Sequence, residues 1–166
     1  MFKAKTRQRT RNNEQITTNK KYRLRPRHGT ESEQYTLMIK VEKQIEYWVN
    51  SAQDDMETAG ILIEKEKFLQ GLFFCHLVIE KMLKACYVKA TKDFAPRSHN
   101  LIYLSELVNL DLTDQQSVFM GVLINYQLKG RYPDYSPHLP DKGTINSYLE
   151  STKQLKEWIN KKLLTF

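Results

Sequence analysis

Residues 127–138, QLKGRYPDYSPH, gather an arginine, a carboxylate, a histidine and two prolines where a helical pattern stops. Arg131 and His138, with six residues between them, have the chemistry to act together on a phosphodiester. A guanidinium would hold the phosphate, and an imidazole of ordinary pKa about 6.5 exchanges protons near neutrality. One such pair is a thin active site; two copies meeting across a dimer interface would make a metal-free ribonuclease centre. The competing explanation is structural. Arg131 and Asp134 are three apart across Pro133, and a local ion pair packed beside Tyr132 or Tyr135 explains R-Y-P-D without a ligand.

Three further residues invite a chemical reading. Counting 100° per residue from Trp48, Asp55 falls in the middle of an apolar helix face, between Trp48 and Ala59. A carboxylate there needs a partner against desolvation, so it either fixes helix register or orients an arginine or histidine of a site. His76 lies among the apolar residues of LFFCHLVI, where a core histidine is the simpler expectation. His99, in PRSHNL, either stabilises the start of a helix or faces a ligand at its positive end.

These residues are positioned by helices. Val41, Ile45, Trp48, Ala52, Met56, Ala59, Leu62 and Ile63 recur at three and four, predicting one long amphipathic helix over 39–66. A second runs from Leu69 to about Thr91, apolar nearly all round, with Glu80 and Lys84 read as a favourable i,i+4 pair on its polar side. KDFAPR should end it through Pro96. Ser98 reads as the N-cap of a short third helix carrying Leu101, Leu104, Leu107 and Val108. Thr113 with Gln116 forms a capping box for a fourth, bearing Val118, Val122, Leu123 and Tyr126 and stopped by Gly130 and Pro133. Asp141 or Thr144 begins the last, with Ile145, Tyr148, Leu149, Leu155, Trp158, Ile159 and Leu163. No hairpin or glycine-rich phosphate loop appears, so the expected fold is all-α, an antiparallel bundle of four to five helices.

The net charge of +7 is unevenly spread. Residues 1–30 hold ten Lys/Arg against Glu14, leaving sixteen basic and eighteen acidic residues in the rest. A basic, aperiodic extension over 1–36 and a near-neutral bundle domain over 37–166 are therefore expected, the extension too poor in apolar residues to fold alone. It reads as a disordered tail or a nucleic-acid-binding arm, and Met38 is an alternative natural start because the amphipathic pattern begins there. The apolar runs are too short to cross a bilayer. Cys75 and Cys86 would sit about 16 Å apart along one helix, too far for a disulfide. With no metal-ligand spacing either, no metal or cofactor is expected, and the chain reads as a reduced, cytoplasmic protein.

Several of these stretches resemble the HEPN-domain family of small prokaryotic helical bundles. They are W-x3-A-x2-D-x3-A at Trp48, Ala52, Asp55 and Ala59; F-x-C-H-L-x-I-E-K-x-L-K-A from Phe73 to Ala85; HNL-x-x-L from His99 to Leu104; and RYPD from Arg131 to Asp134. Order and spacing hold over about 40–163, and the basic extension lies outside. The resemblance implies a symmetric homodimer, often paired with a minimal nucleotidyltransferase as a toxin–antitoxin-like couple. Many members are metal-independent RNases using an arginine and a histidine four to six residues apart at the dimer interface. Others lack that histidine and serve as nucleotide-binding or non-catalytic partners. Arg131 matches the family arginine, and His138 fits the longest spacing. The match departs where Tyr132 replaces a small polar residue, and where Ser136 stands at the histidine position of the Arg-x4-His-x-Tyr pattern.

The leading expectation is thus a dimeric module that binds a nucleotide or a nucleotidyltransferase partner, with Asp55, His99, Arg131 and Asp134 lining or bracing a pocket. The second is an RNase toxin in which Arg131 and His138 catalyse. The third is a structural dimer whose RYPD turn only stabilises the fold.

Overall fold

The computed structural model describes residues 30–129 and 139–166, and those residues form five α-helices and no strand. They are α1 (Glu31–Glu64), α2 (Phe68–Thr91), α3 (Leu101–Leu107), α4 (Asp114–Lys129) and α5 (Lys142–Leu163). Residues 37–166 make one compact unit. The expected all-α antiparallel bundle is therefore what the chain forms.

α1 starts at Glu31, earlier than its apolar period suggests. Thr30 and Glu33 cap it reciprocally: the Thr30 N–H donates to Glu33 Oε2 at 2.8 Å, and the Glu33 N–H donates to Thr30 Oγ1 at 3.4 Å. Tyr35, Leu37 and Met38 are all exposed, so this first stretch contributes nothing to the amphipathic pattern. Helical structure propagates here from a cap rather than from a buried face.

α2 is the centre of the bundle. Leu72, Cys75, Val78, Ile79, Leu83, Ala85, Cys86 and Val88 are fully buried, and α3, α4 and α5 all pack on it. α1 covers a further side with Ala52, Met56, Ala59 and Ile63. The two helices are in close contact at Gly71, where an added Cβ would lie 2.5 Å from Ile63 Cγ1. Ile63 meets Gly71 whereas Ser51 meets Lys81, so contacts that advance along α2 recede along α1. The pair is antiparallel.

Three helix ends turn on left-handed residues, and none of the three is glycine. Glu66 (φ 57°) closes α1 in a Schellman arrangement, with Lys67 N–H donating to Leu62 O and Glu66 N–H to Ile63 O. Asn109 (φ 50°) does the same after α3. Lys92 (φ 58°) ends α2, its N–H donating to Val88 O. α2 therefore stops four residues before Pro96, and the break expected from that proline is made by Lys92 instead. The cap of α3 also differs from expectation. Asn100 accepts the Tyr103 N–H at 3.1 Å, while Ser98 only accepts the Asn100 N–H at 3.2 Å. The carboxamide one residue from the helix reaches the free N–H that Ser98, three residues from Leu101, does not. The box at Thr113/Gln116 forms as expected, and of the two candidate starts for α5 Asp141 is the N-cap, its carboxylate accepting the Thr144 N–H at 3.0 Å. Val118, expected on the buried face of α4, is 69% exposed; Met120, not expected there, is buried beside the expected Leu123 and Tyr126.

Candidate functional site

A stripe of charge lies inside this otherwise apolar packing, on α2 at Glu80, Lys81 and Lys84. The carboxylate of Glu80 is the hub. Its Oε1 accepts from Lys84 Nζ at 2.7 Å, and its Oε2 accepts from His99 Nδ1 at 3.0 Å. His76 Nε2 approaches Oε2 at 3.3 Å, a contact too poorly directed to count as a full hydrogen bond. Burial pushes the Glu80 carboxyl upward, but the contacts from His76, Lys84 and His99 outweigh it and hold the group at about 2. Glu80 is thus an anion at every physiological pH. Lys84 also lies over the ring of Trp48 on α1, 5.2 Å from its centroid, so its ammonium bridges a carboxylate and an aromatic face.

Asp55 takes part through a second, adjacent pair. Its Oδ2 is 2.5 Å from Lys81 Nζ, which also donates to Ser51 Oγ at 2.6 Å. Of the two meanings open to a carboxylate on the apolar face, the buried ion pair that fixes α1 against α2 is the one formed. Asp55 contacts no histidine or arginine among the described residues. His99 precedes α3 on the connection from α2, and its bond to Glu80 ties that connection to the central helix. Its side chain stays 49% exposed, so the ring has one nitrogen fixed and one edge open. His76 is fully buried, and its Nδ1 has no hydrogen-bond partner among the described residues.

Asp55 and His99 therefore converge on one stripe of α2 through different partners, Lys81 and Glu80, without touching each other. Arg131, Asp134 and His138 lie outside the described residues. The residues missed from the sequence are Glu80, Lys81 and Lys84. Glu80 and Lys84 read as an ordinary surface pair, yet they are 4% and 7% exposed. The signal was there in the pattern: a helix apolar on nearly every side has no solvent face on which to place such a pair.

Elsewhere the described residues hold little reactive chemistry. Burial pushes the Cys75 thiol up to about 11 and Cys86 up to about 12, and both are free. Neither is a nucleophile near neutral pH. Among the described residues, no cluster is able to hold a metal ion and no helix is long and apolar enough to cross a membrane.

Comparison with known proteins agrees with this architecture. The HEPN domain family model matches residues 45–163, the span containing the whole α2 stripe and His99. No curated protein sequence matches the chain. A solved crystal structure, TT1696 from Thermus thermophilus, is similar over 72% of this chain and 98% of its own, with a TM-score of 0.60 at 18% identity. Identity that low speaks for the fold alone. With most of the bundle covered by the family model, the chain belongs to the HEPN-domain family.

Proposed function

We propose that this HEPN protein is a binding module: a cytoplasmic homodimer that takes up a nucleotide or a nucleotidyltransferase partner, as one half of a toxin–antitoxin-like pair, without turnover of its own. The observation that carries this reading is the half-exposed His99 held by its Nδ1 on a buried carboxylate. A ring fixed in that way presents its other edge to a ligand at little further cost in side-chain freedom. Charges around it are already matched, Glu80 with Lys84 and Asp55 with Lys81. Such matching suits a stiff support for a bound partner better than a groove that tracks RNA backbone, which needs clustered unpaired cations. Asp55 braces the support through Lys81; Arg131 and Asp134 complete the pocket in this proposal. The buried free thiols support a reducing compartment.

The test is calorimetric titration of the full chain with ATP, beside metal-free RNA cleavage by the same preparation. Saturable ATP binding, weakened about tenfold or more in His99→Ala, supports the module, the loss being that of a charge-assisted hydrogen bond. RNA cleavage abolished in both Arg131→Ala and His138→Ala would replace this reading with that of a metal-independent RNase.

A further inference from the structure

The bond between His99 and Glu80 fixes more than the position of the ring; it fixes where the ring keeps its proton. The Glu80 carboxylate is ionised and also takes a hydrogen bond from Lys84, so towards His99 it only accepts. In the neutral imidazole the proton therefore sits on Nδ1, and Nε2 keeps its lone pair. Nε2 makes no hydrogen bond among the described residues, on a side chain that is half-exposed. A carboxylate on one imidazole nitrogen, with the other nitrogen free, is the arrangement that makes histidine a base or a nucleophile. His76, on the same carboxylate, is fully buried and closed to any reagent.

What such a nitrogen would take up is indicated by the connection that carries it. Arg97, two residues before His99, is exposed and makes no ion pair among the described residues. The carboxylate of this connection, Asp93, accepts the Phe94 N–H at 2.8 Å instead. A free guanidinium binds phosphoryl oxygens through paired N–H groups, whereas an acyl or alkyl group gains nothing from it.

We infer that His99 is a phosphoryl-acceptor site, its Nε2 taking the phosphoryl group of an acyl phosphate while Glu80 holds Nδ1 and Arg97 meets the phosphoryl oxygens. The Nε2 lone pair attacks phosphorus, and the bond from phosphorus to the acyl oxygen breaks, its electron pair leaving with the carboxylate product. No proton has to move. Nδ1–H stays on Glu80, whose negative charge balances the positive charge that the ring gains. The inference goes beyond the binding module but rests on the same Nδ1 bond; it is read by a covalent label, so it and ATP binding can fail separately.

The experiment is incubation of the full chain with acetyl phosphate, followed by alkaline proteolysis and mapping of phosphohistidine by mass spectrometry. His28 and His138 are the internal references. His99 should gain phosphate about tenfold faster than either. Arg97→Ala, at an exposed position with no ion pair to lose, should slow labelling of His99 about fivefold and leave the references unchanged. Imidazole ¹⁵N spectra should show Nδ1 as the protonated nitrogen of neutral His99. In Glu80→Gln, whose amide donates as well as accepts, that preference and the fast labelling should both be lost. Labelling of His99 no faster than of His28 and His138 overturns the inference. So does an unchanged rate in Arg97→Ala, which would mean that exposure alone sets it, and so does a neutral ring protonated on Nε2.

Discussion

The seam between α1 and α2 is held differently at its two ends. Near the turn that joins the helices, Gly71 lets them close until Ile63 fills the space a side chain would need. Ten residues further along α2, about 15 Å at ordinary helical rise, the same seam is spanned by long cationic side chains. There Lys81 reaches Asp55 and Ser51, and Lys84 reaches Trp48. Shape alone holds the first end. Charge holds the second, and it does so only while every partner is present, because each ion is out of water. The half-exposed His99 is attached to that second end. A bundle that places its matched charges where one ring reaches solvent has traded indifferent packing for a defined polar site.

Removing the hub should break the comparison most strongly. Glu80→Ala leaves Lys84 without its buried carboxylate and releases His99; a loss of about 3–5 kcal/mol in denaturant unfolding is expected. Retention of nearly full stability would mean that the charged end contributes no more than an apolar filling would.

Acid should act on the same end through Glu80. The folded Glu80 carboxyl lies at about 2, below its usual value of 4.5. Its contribution is therefore complete above the unfolded value and is lost as pH falls through the folded one. Stability should decline between roughly pH 4.5 and 2 more steeply in the native protein than in Glu80→Gln. Exposed carboxylates such as Glu66, held low by its hydrogen bond and ion pair with Lys142, titrate equally in both proteins and cancel in the difference. Parallel unfolding curves over that window would assign the acid sensitivity elsewhere.

Glycine substitutions sharpen the shape-held end. Gly71→Ala must push against Ile63 and the carbonyl of Ala59, and should destabilise by about 1–3 kcal/mol. Gly60, on the same α1 but with nothing within 4 Å of its missing Cβ, should behave oppositely. Gly60→Ala is expected to raise stability by about 0.5–1 kcal/mol through helix propensity. Thermal melts of the two variants read both signs; a stabilising Gly71→Ala would show that the close approach is not tight.

Much of the bundle is legible in the order of its residues. The three- and four-residue spacing from Val41 to Ile63 places α1 against a core, the box at Thr113/Gln116 fixes where α4 begins, and Asp141 is one of two caps the sequence offers for α5. Such signals are local, since a cap or a period needs only residues within a turn or two. Helix ends at Glu66 and Lys92 are not legible in that way. A left-handed residue other than glycine or asparagine is tolerated only because the following chain satisfies the helix's last carbonyls. Asp55 is visible as a carboxylate needing a partner, yet the partner lies 26 residues away on another helix.

The amino-acid order by itself determined the all-α class, the central apolar helix, the uneven charge and the family pattern, because composition and short-range period decide which faces leave water. Only the tertiary structure decided that Glu80 and Lys84 are interior rather than surface, that Lys81 answers Asp55, and that His99 hangs on Glu80. Burial is a property of what packs around a residue, and whether a charge is costly or useful depends on which opposite charge the fold brings to within 3 Å of it.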